Sequence, residues 1–111
     1  MENCIFCKII AGEIPSQKVY EDEAVYAFRD VAPVAPTHVL IIPKKHVENV
    51  AALSEDDAAL VGRIFLAMPK IADKLGVSEY RVITNSGETA GQTVFHLHYH
   101  LLAGARFGKL L

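Results

Sequence analysis

A chain of 111 residues has room for one hydrophobic core and not for two. With 51% hydrophobic and 22% charged residues it does not read as a disordered sequence. Its formal charge of −2, with Lys and Arg scattered from Lys8 to Lys109, lacks the basic footprint of a duplex-binding protein.

No apolar run approaches the roughly 18–20 residues that a membrane helix needs. The start, Met1-Glu2-Asn3-Cys4, lacks the basic and apolar regions of a signal peptide. The expectation is one domain over residues 1–111, cytoplasmic, bound neither to membrane nor to a nucleic-acid polymer. Cys4 and Cys7 are too few for a disulfide framework. Their C-x-x-C spacing admits a redox pair, half a metal site or two reduced structural thiols. The redox reading is the weakest, because no strand precedes Cys4.

In chain order, Ile5, Phe6, Ile9 and Ile10 fall at helical spacing, and Gly12 and Pro15 end the pattern. Lys18–Tyr20 and Ala24–Asp30 read as a hairpin around an acidic turn. Pro33 and Pro36 make Val31–Thr37 a loop. His38–Ile42 is apolar on both faces, as a covered central strand should be, and Pro43 ends it. Ser54 and the acidic residues after it open a long amphipathic helix, whose apolar face runs from Leu60 to Leu75 before Gly76. Pro69 inside it predicts a kink. Glu79–Asn85 is a further strand, Ser86–Thr93 a Gly/Ser/Thr-rich loop, and Val94–Leu102 a last long strand. The pattern specifies an α+β fold: about five strands in a mostly antiparallel sheet, one short N-terminal helix and one long helix.

The chain has five histidines, and three of them lie in Thr93-Val94-Phe95-His96-Leu97-His98-Tyr99-His100-Leu101-Leu102. Side chains alternate along a strand, so His96, His98 and His100 share one face about 6.5–7 Å apart, with Phe95, Leu97, Tyr99 and Leu101 on the other. Such a row suits either a catalytic metal site or nucleophilic catalysis by one imidazole assisted by the others. The loop before it carries Gly91, Gln92 and Thr93, whose backbone and side-chain donors suit an anionic, phosphorylated substrate.

His-Leu-His-Tyr-His-Leu-Leu resembles the histidine triad pattern, His-x-His-x-His with apolar residues between and after. Cys4-Ile5-Phe6-Cys7-Lys8-Ile9-Ile10, Glu13-Ile14-Pro15, Ala27-Phe28-Arg29-Asp30, Ala35-Pro36-Thr37-His38, Ile42-Pro43-Lys44-Lys45-His46 and Gly91-Gln92-Thr93-Val94-Phe95-His96 extend the likeness over nearly the whole chain. The sequence is identified as a member of the HIT family, and resembles its small HINT-type nucleoside phosphoramidase branch.

That resemblance implies a HIT-like fold and hydrolysis of purine nucleoside 5′-monophosphoramidates through a covalent nucleotidyl-histidine. It makes His98 the nucleophile, with its second ring nitrogen held by the backbone carbonyl of His96. His38 and His100 would flank the phosphate, and Thr93 would pass a proton toward the leaving amine. Asp30 would take the ribose hydroxyls, Asn85, Gln92 and Gly91 would lie near phosphate and ribose, and Val31 and Phe6 would line the base pocket. No cofactor is required for the chemistry. His46 is a solvated histidine or, with Cys4, Cys7 and His96, part of the structural zinc site that some bacterial-type relatives possess. The implied partners are AMP or GMP derivatives and a second copy, in a homodimer with one continuous sheet. The competing readings are a zinc hydrolase that uses the three strand histidines as ligands, a dinucleoside polyphosphate hydrolase, and a nucleotide-binding regulatory or scaffold module with vestigial activity.

Overall fold

The computed structural model describes residues 3–109, so Met1-Glu2 and Leu110-Leu111 lie outside the described residues. The elements are α1 (Ile5–Ile10), β1 (Lys18–Glu21), β2 (Val25–Arg29), β3 (Thr37–Pro43), α2 (Ala58–Leu75), β4 (Arg81–Ile83) and β5 (Tyr99–Ala103). The strands form one sheet in the order β1-β2-β3-β5-β4, and every neighbouring pair is antiparallel. This is the architecture expected from the sequence. No helix among the described residues is long and apolar enough to cross a membrane.

The sheet is covered on both faces, which is why β2, β3 and β5 read as nearly continuous apolar runs. On one face Val25, Ala27, Val39, Ile41, Tyr99 and Leu101 pack under α2, against Ile64, Met68 and Ile71. On the other, Tyr26, Phe28, Leu40 and Ile42 pack under α1, against Phe6 and Ile9. The short α1 is too brief to be stable alone and owes its place to this burial. Its N-cap is Cys4, whose sulfur accepts the Cys7 backbone N–H at 3.3 Å.

The long helix begins with a 3-10 turn over Glu55–Asp57, in which the Asp57 carboxylate accepts the Ser54 backbone N–H at 3.0 Å. It closes on Gly76 in a left-handed conformation, φ +71°. Pro69 does not interrupt it. The proline sits on the exposed side. Water can therefore satisfy the carbonyl that lost its donor there.

Two strands are shorter than their residue types suggest. Glu79–Asn85 contributes only Arg81–Ile83 to the sheet, and Val94–Leu102 is replaced by Tyr99–Ala103. The second difference is the important one. Pairing of β3 with β5 begins at Ile41 opposite Tyr99, close to the end of β3 at Pro43. The residues before Tyr99 bond instead to the segment that follows β3. The Leu97 N–H donates to the Val47 carbonyl at 2.6 Å, and His96 Nε2 lies 2.8 Å from the Pro43 carbonyl. Strand alternation therefore does not carry through to Phe95, which is 40% exposed instead of lying in the core with Leu97.

At the far end of β5, Gly104 has φ +92°, and a Cβ built there would stand 2.9 Å from Pro36 Cβ. This close approach sets the loop before β3 against the end of β5. Gly104→Ala combines a disfavoured φ with that collision, so it should lower unfolding free energy by at least about 1–2 kcal/mol. Urea denaturation of the variant beside the parent checks this.

Candidate active site

Antiparallel register brings His38 and His100 together. Leu40 lies opposite His100 and His38 opposite Leu102, so the two histidines are diagonal neighbours on the α1 face of the sheet. Their rings meet with His38 Nε2 2.9 Å from His100 Nδ1. The backbone N–H of Val34 donates to His38 Nδ1 at 3.2 Å. In the neutral ring, Nδ1 is thus the acceptor and the proton sits on Nε2. That proton faces His100 Nδ1, with the Asp30 carboxylate 3.4 Å away. Asp30 is itself held by the Ala32 N–H at 2.8 Å, an Asx turn at the end of β2.

His98 stands in the irregular run just before β5. Its Nδ1 is 2.7 Å from the carbonyl of His96, and a carbonyl only accepts, so the Nδ1 proton is assigned and Nε2 keeps a free lone pair. The run is pinned from the other side by Thr84, whose hydroxyl donates to the His98 carbonyl at 2.7 Å. Phe6 from α1 packs edge-on against both His98 and His96, at ring centroid distances of 5.2 and 5.9 Å. The His98 and His100 rings are 5.1 Å apart. Burial is the main influence on His98 and pushes its protonation below the ordinary imidazole range. The His96 carbonyl and the Asp30 charge offset part of that shift. His100 is also lowered, by burial first and then by His98 and His38, again against Asp30.

His96 turns a different way. It is fully buried, its Nε2 proton is held by Pro43, and its Nδ1 lone pair faces Cys4 Sγ at 3.3 Å and Cys7 Sγ at 3.6 Å. His46 Nδ1 approaches Cys7 Sγ at 3.4 Å. The ligand atoms of Cys4, Cys7, His46 and His96 all lie within 4.8 Å of one another. Two sulfurs and two imidazoles are a donor set for tetrahedral zinc, with Pro43 fixing the tautomer from behind. Burial, and next the Cys4 thiol, push Cys7 up to about 11. A bound cation reverses that direction, because the thiolate is the ligating form.

His96 and His98 therefore serve separate groups. Among the described residues no metal-ligand cluster unites His96, His98 and His100, which removes the geometric basis for a zinc hydrolase built on those three. Asp30, His38 and His100 do converge. Yet a cation there would need the His38 Nε2 lone pair, which is protonated while Val34 occupies Nδ1.

The loop residues divide likewise. Gly91, at φ +103°, lies against Asn85, whose side chain is 3.8 Å from the position a Cβ would take. Gln92 is buried and its amide is committed within the protein. Its Nε2 donates to the Glu48 and Val94 carbonyls, and its Oε1 accepts from Asn49 Nδ2 and the Gly87 N–H. Both amide protons are used, so Gln92 shapes the loop and leaves no N–H for a phosphate. Thr93 is exposed and lines a cleft of about 450 Å³ with Cys4, Ile5, His46, Val94 and Phe95. Val31 is 98% exposed, and with Pro15, Ser16, Gln17, Arg29 and Asp30 borders a cleft of about 440 Å³. Phe6 is 6% exposed and backs the histidines from beneath. Sequence reasoning did not find Val34, Thr84, Asn49 or the carbonyls of Pro43 and Glu48. Four of these five act through, or on, backbone atoms, which no side-chain pattern encodes.

Residues 11–107 match the family model described as HIT domain. The chain is 46% identical over 112 residues to the purine nucleoside phosphoramidase of Escherichia coli K12, covering 99% of this chain and 94% of that protein. It is 50% identical over 112 residues to the protein hit of Bacillus subtilis, covering 97% of this chain and 74% of the relative. Among solved structures, a HIT family hydrolase from Clostridium thermocellum superposes with a TM-score of 0.96 at 53% identity, covering 100% of this chain and 98% of the other. The chain belongs to the HIT family of hydrolases, in its HINT-type branch.

His98 and His100 should thus titrate below the ordinary imidazole value of about 6.5. The unfolded chain binds more protons in that window, so both groups favour the folded state above about pH 6.5 and withdraw that support as pH falls through their native values. Imidazole proton shifts followed by NMR against pH give the two midpoints directly. Midpoints at or above that ordinary value would contradict burial as the dominant influence.

Proposed function

We propose that this hydrolase cleaves the P–N bond of purine nucleoside 5′-phosphoramidates, with His98 as the nucleophile. The observation that carries the reading is the 2.7 Å bond from His98 Nδ1 to the His96 carbonyl, which leaves Nε2 unprotonated and aimed away from its own backbone. A buried, neutral imidazole is a competent nucleophile near neutral pH. Nε2 attacks the α-phosphorus, a P–N bond to His98 forms and the P–N bond to the amine breaks. Thr93 relays a proton from solvent to the leaving nitrogen. Water then attacks the nucleotidyl-His98, giving the nucleoside monophosphate and free imidazole. The His96 carbonyl steadies the Nδ1 proton throughout, as charge appears on the ring in the intermediate.

His100 stabilises the phosphoryl oxygens through its Nε2–H, and His38 flanks the phosphate as the group that donates to His100 Nδ1 and orients that ring. Asp30 retains acceptor capacity for the ribose diol beyond its bond to Ala32. The reading that Val31 meets the base is supported by its border with the 440 Å³ cleft, with Phe6 behind the histidines and Asn85 and Gly91 on the loop side. Val31 offers a base apolar contact and no hydrogen bond, while Phe6 supports the pocket from behind the histidines. A homodimer is supported by Phe65 and Leu66, 47% and 70% exposed on α2.

His98→Ala should abolish release of AMP from an amine-linked AMP substrate. Alkaline denaturing quench of the parent during turnover should trap a nucleotidylated protein that the variant never forms, because a P–N bond to imidazole survives base and is lost in acid. Retained turnover in the variant would end the nucleophile assignment.

The Cys4, Cys7, His46 and His96 set would hold zinc, which supplies a structural cross-link between α1 and the segments flanking β3 and β5. Elemental analysis of the protein should then find about one zinc per chain. Cys7→Ala should lose the metal and lower Tm by several degrees while His98 keeps its His96 bond. Metal-free parent protein with an unchanged Tm would remove the site from the reading.

A further inference from the structure

We propose that the backbone N–H of Val34 is a positioning group. Through His38 it holds His100 as a neutral imidazole whose proton is on Nε2, so that His100 serves the phosphoryl group as a fixed hydrogen-bond donor and not as a proton source. What His100 faces rests on the proposed phosphoramidase reading. The tautomer itself rests only on bonds within the protein.

Each link leaves one choice. A backbone N–H can only donate, so Val34, at 3.2 Å, makes His38 Nδ1 an acceptor. The single proton of neutral His38 is then on Nε2, 2.9 Å from His100 Nδ1. His100 Nδ1 becomes an acceptor in turn, and its proton is on Nε2. Both lone pairs of the ring pair are thereby occupied by donors, one from the main chain and one from the neighbouring ring. To act as a general acid His100 would carry protons on both nitrogens. His38 Nε2 would have to become an acceptor, moving its proton to Nδ1, into the Val34 N–H.

The loop is built to keep that amide in place. The Val34 side chain is 75% exposed, so its inward contribution is its backbone. The loop holds Pro33 and Pro36, starts from the Asp30–Ala32 bond at 2.8 Å and rests on Gly104 near Pro36. The charged or titratable groups facing the pair are Asp30, 3.4 Å from His38 Nε2, and His98, whose ring centroid is 5.1 Å from that of His100. Asp30 would favour a cation on the pair, so the tautomer lock works against the one nearby charge that would otherwise draw in a second proton.

The test is long-range proton–nitrogen correlation NMR on the ¹⁵N-labelled full chain near neutral pH, which reads ring tautomers directly. The expected spectrum shows His38 and His100 both as Nε2–H with unprotonated Nδ1. A proton on His100 Nδ1 overturns the proposal. Val34→Pro deletes the donor. It should let His38 populate both tautomers and shift uptake of a second proton by the pair to higher pH. Val34→Ala, which keeps the N–H, should retain the parent tautomers. An unchanged tautomer and midpoint in Val34→Pro also overturns the proposal; where that variant does not fold, the parent spectrum decides alone. Because the tautomers are read without substrate, their failure is distinct from failure to trap a nucleotidyl-His98.

Discussion

The site depends on where pairing between β3 and β5 stops. Had the ladder continued to Val94, the His96 carbonyl would have been a strand acceptor and His98 Nδ1 would have had no partner in its own chain. Pairing stops at Ile41 opposite Tyr99, two residues before β3 ends at Pro43, so the chain from His96 to His98 leaves the ladder. The freed carbonyl of His96 turns back onto His98, while the His96 side chain turns out to Pro43 and the two cysteines. A short sheet thus does what a long one cannot: it sets adjacent histidines to different tasks.

The histidines are sorted by what holds their protons. His98 and His96 each give one N–H to a carbonyl and are left with a free lone pair, which suits attack in one case and metal ligation in the other. His38 receives an N–H instead, so the His38–His100 pair points a proton outward. Lone pair and proton are the two things a phosphoryl centre needs from its surroundings, one on the nucleophile and one on the oxygens. Burial disfavours protonation of His96, His98 and His100, which preserves the contrast. A protonated ring would present donors on both nitrogens and lose it.

Much of this was legible in the residues. The apolar runs marked a sheet covered on both faces, the Leu60–Leu75 periodicity marked the long helix, and the histidine spacing marked the site. The triad pattern marked the family. What residue types could not convey was the end of β5. Val94, Phe95 and Leu97 are good strand formers, and nothing local opposes a strand there. The competing bonds come from Pro43 and Val47, about fifty residues earlier in the chain, and exist only once β3 is in place. Thr84 was hidden for the same reason, since its hydroxyl acts on a carbonyl brought to it by the sheet.

Gln92 shows how the side chain of a motif residue can be committed to its own chain. Its position in Gly91-Gln92-Thr93 suggests a phosphate contact, and its side chain has the right donors. Those donors are spent on the Glu48 and Val94 carbonyls, while its oxygen gathers Asn49 and Gly87. The amide ties the Gly-rich loop to the segment that leaves β3 and to the first residues of the histidine run. Losing it would remove the partner of the Glu48 and Val94 carbonyls, the Gly87 N–H and the buried Asn49 amide together, a larger disturbance than the loss of one exposed contact. The same segment carries His46 toward Cys7 and the Val47 carbonyl toward Leu97. His98, the cluster of Cys4, Cys7, His46 and His96, and the Gly-rich loop are therefore braced against one short stretch, Lys44–Asn49. The end of β3 and the chain after it, and not the histidine strand by itself, hold His96 and His98 in their separate places.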